Sequence, residues 1–127
     1  MGAAAARMRA VDRFRLQCFV ALAEELHFHR AAERCHVSQP AMSQQVRTLE
    51  RELGVQLAHR TKRTVVLTPA GEVFLREARK TLRQIDQAVS LAQRTDRGEI
   101  GQLTVGVTSP GLYVLFPETV RLFRAAL

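Results

Sequence analysis

The chain has 127 residues, 46% of them hydrophobic and none of them Trp, enough for one modest core or a small domain with an appendage. Its formal charge of +7, from 19 basic against 12 acidic side chains, favours a polyanionic partner: nucleic acid, an acidic protein or a membrane surface. No long apolar segment follows Met1 and no stretch approaches a membrane span, so the sequence reads as cytoplasmic, with no membrane partner.

The charge is unevenly spread. Residues 1–67 carry 11 basic and 6 acidic groups, residues 68–99 carry 6 and 5, and residues 100–127 carry 2 and 1. The excess therefore sits in the first half, as a phosphate-binding surface there would require. Cys18 and Cys35 form no CxxC, and the histidines show no metal-ligand spacing. Both cysteines read as small buried hydrophobes in a reduced protein, with no metal or cofactor. A Gly-rich phosphate loop, a nucleophile spaced to a base and paired carboxylates are all missing, so the expectation is not an enzyme.

In chain order, residues 1–11 are Ala/Arg-rich and read as a disordered extension, with Met8 an alternative start. Asp12 is placed to N-cap a first helix reaching about Glu25, with Phe14, Cys18, Phe19 and Leu22 as its buried face and Glu24 and Glu25 outside. A short second helix follows over about His29–Cys35, kept thin by Ala31 and Ala32. His36 falls at the turn, where positive φ is wanted and histidine is one of the few non-glycine types enriched. Val37 plugs that turn. Ser38 N-caps a third helix with Pro40 in its first turn, and Gly54 stops it. Met42, Val46, Leu49 and Leu53, spaced 4, 3 and 4, form its inward stripe.

The opposite face of this third helix, over 39–53, presents Ser43, Gln44 and Arg47, with Gln39 just ahead. A merely solvated face would explain polarity, but surface helices ordinarily carry Glu and Lys there. Short amides and hydroxyls on a helix fit the base edges of the DNA major groove. Val55–Thr68 then turns strand-like around Arg60-Thr61-Lys62-Arg63, a β-hairpin wing whose basic tip either lies on phosphates or is simply solvated. On this reading Gln39, Ser43, Gln44 and Arg47 face bases, and Arg30, Arg60, Lys62 and Arg63 face phosphates.

Thr68-Pro69-Ala70-Gly71-Glu72 opens a further helix, with Thr68 as N-cap and Glu72 near the capping-box position. No breaker appears before Gly98. Leu75, Ala78, Leu82, Ile85, Val89 and Ala92, spaced 3, 4, 3, 4 and 3, form a continuous a/d seam. A helix over 69–97 spans about 42 Å, too long a stripe for one small core. The seam is expected to meet a second chain in a homodimer, with packing against helix one as the alternative. After Gly98, Gln102–Val107 reads as a buried strand, Ser109-Pro110-Gly111 as a turn and Leu112–Leu127 as an apolar helix. That is one incomplete β-α unit of an α/β domain over 98–127, expected to be the start of a truncated second domain.

The motifs F-x-x-A-A-E-R (Phe28–Arg34), V-S-Q-P-A-M-S (Val37–Ser43), L-E-R-E-L-G-V-Q-L (Leu49–Leu57), R-T (Arg60–Thr61) and L-T-P-A-G (Leu67–Gly71) together resemble the LysR-type transcriptional regulators over about residues 13–110. The resemblance implies a mainly α protein: a winged helix-turn-helix over 12–68, a dimerisation linker helix over 69–97, and the start of an effector domain. It further implies sequence-specific binding of a dyad operator by a dimer, with tetramers in a full-length parent. Ser38, Gln39, Pro40, Ser43, Gln44 and Arg47 would lie at the major groove and the wing arginines on the backbone or minor groove. Three departures stand out. Gln44 replaces a common Arg, which shifts the favoured partner from guanine towards adenine. Ala58 replaces a bulky apolar residue. The chain also ends at Leu127, so a small-molecule effector is expected only if the rest of that domain is supplied, with effector sensing lost by truncation. A mixed dimer, in which the linker helix captures a full-length relative as an antagonist, is the alternative function.

Overall fold

The computed structural model describes residues 11–102, 104, 106 and 116–126, and among them the chain is mainly helical. Helix α1 (Arg13–Glu25) starts where Asp12 leaves extended backbone and its carboxylate accepts the Arg15 amide at 2.8 Å. It ends at Leu26, whose φ of 50° turns the chain away. Leu16 and the run Cys18–Ala23 are all buried. So continuous a burial gives α1 two working faces. Cys18, Ala21 and Leu22 meet Ala31, Ala32, Met42 and Val46, while Leu16 and Val20 meet Ala78. Phe14, expected inside, is 41% exposed. It precedes the Cys18–Leu22 stretch that packs on the following helices. Val11, assigned above to the disordered extension, is half-buried against this core.

Helix α2 (Phe28–Arg34) begins one residue earlier than expected, because the His27 ring caps it: Nδ1 accepts the Arg30 amide at 3.3 Å. Its end satisfies two orphan carbonyls. The His36 amide donates to Glu33 O and the Val37 amide to Ala32 O, at 3.1 and 3.0 Å. That is the left-handed helix stop that glycine usually supplies, made here by His36 at φ 55°. Helix α3 (Gln39–Leu53) follows, with the Ser38 hydroxyl accepting the Ala41 amide at 3.2 Å. It closes with the same device at Gly54, φ 67°, whose amide bonds Arg51 O while that of Val55 bonds Glu50 O. Met42, Val46 and Leu49 are buried as the stripe demanded, and Leu53 is half-buried.

Strands β1 (Ala58–Arg60) and β2 (Val65–Leu67) pair antiparallel, with Ala58 opposite Leu67 and Arg60 opposite Val65. Ala58 and Val65 point into the core. The hairpin hands over directly to α4 (Pro69–Asp96). There the Thr68 hydroxyl accepts the Gly71 amide at 2.9 Å and donates to Gln56 O at 2.7 Å. The Thr68 amide bonds Leu57 O, so the reciprocal half of the capping box expected of Glu72 is taken by backbone. Gly71 is required for proximity: a Cβ there would land on the Leu57 carbonyl.

Through its first half α4 lies on α1. Phe74 meets Phe19 edge-on, ring centroids 5.2 Å apart, and Leu75, Ala78 and Leu82 pack with Leu16 and Val20. Glu24 bonds Arg79 on α4 at 2.8 Å and Arg34 on α2 at 2.6 Å. The Arg79 bond first, then Arg34, holds its carboxyl below the usual value.

The chain divides into two units near Ser90. In the second, α4 ends at Asp96 and Gly98 adopts φ 73°, while Glu99 pairs with Arg94 and Arg97. Helix α5 spans Phe116–Ala125. Of the strand expected at Gln102–Val107, only Gln102, Thr104 and Gly106 are described, exposed and without strand pairing. Leu103, Val105, Val107, the Ser109-Pro110-Gly111 turn, residues 112–115 and Leu127 lie outside the described residues, as do residues 1–10. No described helix is long and apolar enough to cross a membrane.

Two glycine substitutions should separate steric from conformational cost. Gly54→Ala meets nothing within 4 Å and should lose about 1 kcal/mol for its left-handed backbone. Gly71→Ala must push β1 and α4 apart and should lose about 1–3 kcal/mol. Urea unfolding of both variants checks the order; equal losses would contradict the close approach at Leu57.

Candidate nucleic-acid interface

The turn at His36 and the cap at Ser38 set α3 across α1 and α2, with its apolar stripe inward. That leaves Gln39, Pro40, Gln44 and Arg47 exposed, Ser43 half-buried beside them, and Ser38 exposed at the start. Within this face Gln44 Nε2 reaches Thr48 Oγ1 at 3.5 Å, and Arg47 makes no ion pair among the described residues.

The wing tip is closed by threonines rather than by its cations. Thr61 Oγ1 accepts the Arg63 and Thr64 amides at 3.3 and 2.9 Å, and the Thr61 amide donates to Thr64 O. Lys62 and Arg63 are consequently exposed, and among the described residues neither has an acidic partner. Their charge is available to an anion.

Arg60 behaves differently. Expected on phosphates, its guanidinium turns inward and is only 20% exposed. Nη2 pairs with Glu50 Oε2 at 3.2 Å, Nη1 donates to Ser43 Oγ at 3.1 Å, and the group lies 5.0 Å over the Phe28 ring. Burial pulls its pKa below the ordinary arginine value, Glu50 opposes that, and neighbouring Arg47 adds to it. With its donors so engaged, Arg60 fastens the wing to α3 and α2. Arg30 is also partly committed, to the Glu25 carboxylate at 3.4 Å and the Glu25 carbonyl at 2.8 Å, though it stays exposed.

Glu50, which sequence reasoning did not single out, organises this corner. Its Oε1 accepts the Leu57 and Ala58 amides at 2.9 and 3.1 Å while Oε2 holds Arg60. The only local hint was a carboxylate next to the inward stripe, one turn before Gly54. His27 and His29 were missed too. With Gln39, Lys62 and Arg63 they line a shallow polar cleft between the start of α2 and the wing tip. His29 Nε2 lies 3.2 Å from Glu33.

The two cysteines sit on adjoining helices. Cys18 is buried, and burial first, then Cys35, pushes its thiol up to about 12. Cys35 is half-buried and donates to Gln17 O at 3.9 Å.

The expected dimer seam divides. Leu75, Ala78 and Leu82 are covered by this chain's own α1, with Ala78 only 2% exposed. They pack on a second apolar face of α1, at Leu16 and Val20. Ile85 is half-exposed, and Val89 and Ala92 are exposed. The Arg13–Asp86 ion pair, 2.7 Å, marks where the cover from α1 ends.

This geometry matches known proteins closely. Residues 14–72 fit the family model described as "Bacterial regulatory helix-turn-helix protein, lysR family". The BenM_DBD/catB site 1 DNA complex superposes with a TM-score of 0.65 at 41% identity, covering 68% of this chain and 97% of that one. The chain belongs to the LysR family. Its fold is the winged helix-turn-helix of that family. Full-length CbnR complexed with its target DNA gives a TM-score of 0.75 at 34% identity, over 91% of this chain and 40% of that one. The HTH-type transcriptional regulator AlsR of Bacillus subtilis (strain 168) is 52% identical over 109 residues, 86% of this chain. The chain spans 36% of the length of AlsR.

Removing the Glu50 carboxylate should release both the β1 backbone and Arg60. Glu50→Ala is expected to cost about 2–3 kcal/mol in urea unfolding, since it strands two amides and a half-buried guanidinium. A loss below about 0.5 kcal/mol would show the corner to be incidental.

Proposed function

We propose that this chain is a sequence-selective, double-stranded-DNA-binding transcriptional regulator. The observation that carries the reading is the joint presentation of two surfaces. The polar face of α3 offers Gln39, Ser43, Gln44 and Arg47, and the threonine-closed wing tip offers Lys62 and Arg63, which have no acidic partner among the described residues. A helix of this width and polarity suits the major groove, with Ser38 and Pro40 at its leading end. Exposed cations at a hairpin tip suit phosphates beside it. The DNA complexes of BenM_DBD and CbnR support the assignment.

Within that proposal, Gln39, Gln44 and Arg47 read base edges, and Lys62, Arg63 and the exposed Arg30 hold the backbone. Arg60 serves from behind, as the fastening between wing and helix. Two chains pair through the open end of the α4 seam, at Ile85, Val89 and Ala92, and so present two α3 helices to an imperfect dyad. Leu75, Ala78 and Leu82 stiffen that helix from within the protomer.

The test is a comparison of two substitutions by fluorescence anisotropy. The duplexes are one selected by the chain from a randomised pool and its scrambled counterpart, each across a salt series. Gln44→Ala should cost about 1–3 kcal/mol on the selected duplex and almost nothing on the scrambled one. Arg63→Ala should weaken both alike and flatten the salt slope by about one ion. Equal losses on both duplexes from Gln44→Ala would sink the base-reading assignment.

A further inference from the structure

A serine hydroxyl inside a helix has a ready local partner, the carbonyl four residues back. Thr81 and Thr95 on α4 take it, donating to Glu77 O and Leu91 O at 2.9 and 2.8 Å. Ser43 in the middle of α3 makes no such bond among the described residues. Its Oγ is instead the acceptor of Arg60 Nη1, at 3.1 Å.

The arginine cannot follow the serine elsewhere. Glu50 holds its other nitrogen at 3.2 Å, and its plane lies 5.0 Å over the Phe28 ring. A guanidinium only donates, so it occupies a lone pair of Ser43 and leaves the hydroxyl proton uncommitted. That proton belongs to a side chain on the same face as Gln39, Gln44 and Arg47.

The geometry points to Arg60 as a positioning residue that turns Ser43 into a hydrogen-bond donor towards DNA. The acceptor it selects is a non-bridging phosphate oxygen or a purine N7. A donor so fixed favours a site carrying an acceptor in that place and disfavours one lacking it. The same contact links the wing to the reading face, because Arg60 belongs to β1. The inference rests on α3 being the groove-facing helix.

The probes are the selected duplex, the same duplex with single methylphosphonate linkages, and the same duplex with single 7-deazapurines, titrated by anisotropy. The wild-type chain should lose about tenfold in affinity at one substituted position. A methylphosphonate position assigns the acceptor to phosphate, and a deazapurine position assigns it to N7. S43A should be indifferent to that substitution. R60K keeps the charge but loses the planar fork; once shown folded by circular dichroism, it should be nearly indifferent too, with R60Q as a second replacement. A purely structural Arg60 would weaken every duplex alike and leave the tenfold ratio intact. The inference is overturned if S43A or the folded Arg60 variant keeps the wild-type ratio, or if no substitution affects the wild type. Wild-type binding that ignores the difference between selected and scrambled duplexes would instead remove the groove-reading assignment itself.

Discussion

Glu50 stands at the junction of three elements and uses both carboxylate oxygens. One oxygen receives two backbone amides at the entry to β1, and the other receives Arg60. A two-stranded hairpin with three residues a side has little stability of its own. Here the wing is held because one strand is bonded to α3 through a charged group, and charge-assisted bonds in a half-buried setting are stronger than neutral ones. Everything proposed for DNA follows from that attachment. The tip cations are useful only if they stand at a fixed distance from Gln39 and Gln44, and Arg60 orients Ser43 only because Glu50 and Phe28 hold Arg60.

Helix α1 imposes the second constraint. Its near-continuous burial from Cys18 to Ala23 lets it serve α2 and α3 on one side and α4 on the other. Phe74 and Ala78 settle into it, and Glu24 ties Arg79 and Arg34 across the same joint. The first half of α4 is thereby fixed to the helix-turn-helix. Beyond Leu82 its seam positions open to solvent, at Ile85, Val89 and Ala92.

Much of this was legible because it is local. Asp12, Ser38, Thr68 and Gly54 announce their helix ends through chemistry that acts within four residues, and the stripe Met42–Val46–Leu49 obeys helical spacing. His36 was readable for the same reason, since a helix stop needs one left-handed residue and the sequence offers no glycine there. The motifs shared with the LysR family covered the same stretches.

What sequence reading missed depends on distance in space. Arg60 lies in a basic turn, and nothing local in the sequence records that Glu50, Ser43 and Phe28, from two other helices, surround it. The α4 seam looked continuous because nothing in its spacing records that Leu16 and Val20 cover half of it. Phe14 fits the helical period of α1 and still lies outside, since period does not say how far a neighbouring helix extends. His27 was passed over because a ring nitrogen is a less common cap than a hydroxyl or carboxylate.

The central claim is that α3 and the wing meet DNA as one surface. Amide chemical shifts of the chain, followed by NMR as the selected duplex is titrated in, test it most directly. The account predicts that Gln39–Arg47 and Thr61–Thr64 shift together, along one binding curve, with little change at Leu75–Leu82. Shifts confined to the wing tip, or two curves with different midpoints, would mean that the duplex is held by charge alone and that α3 does not read it.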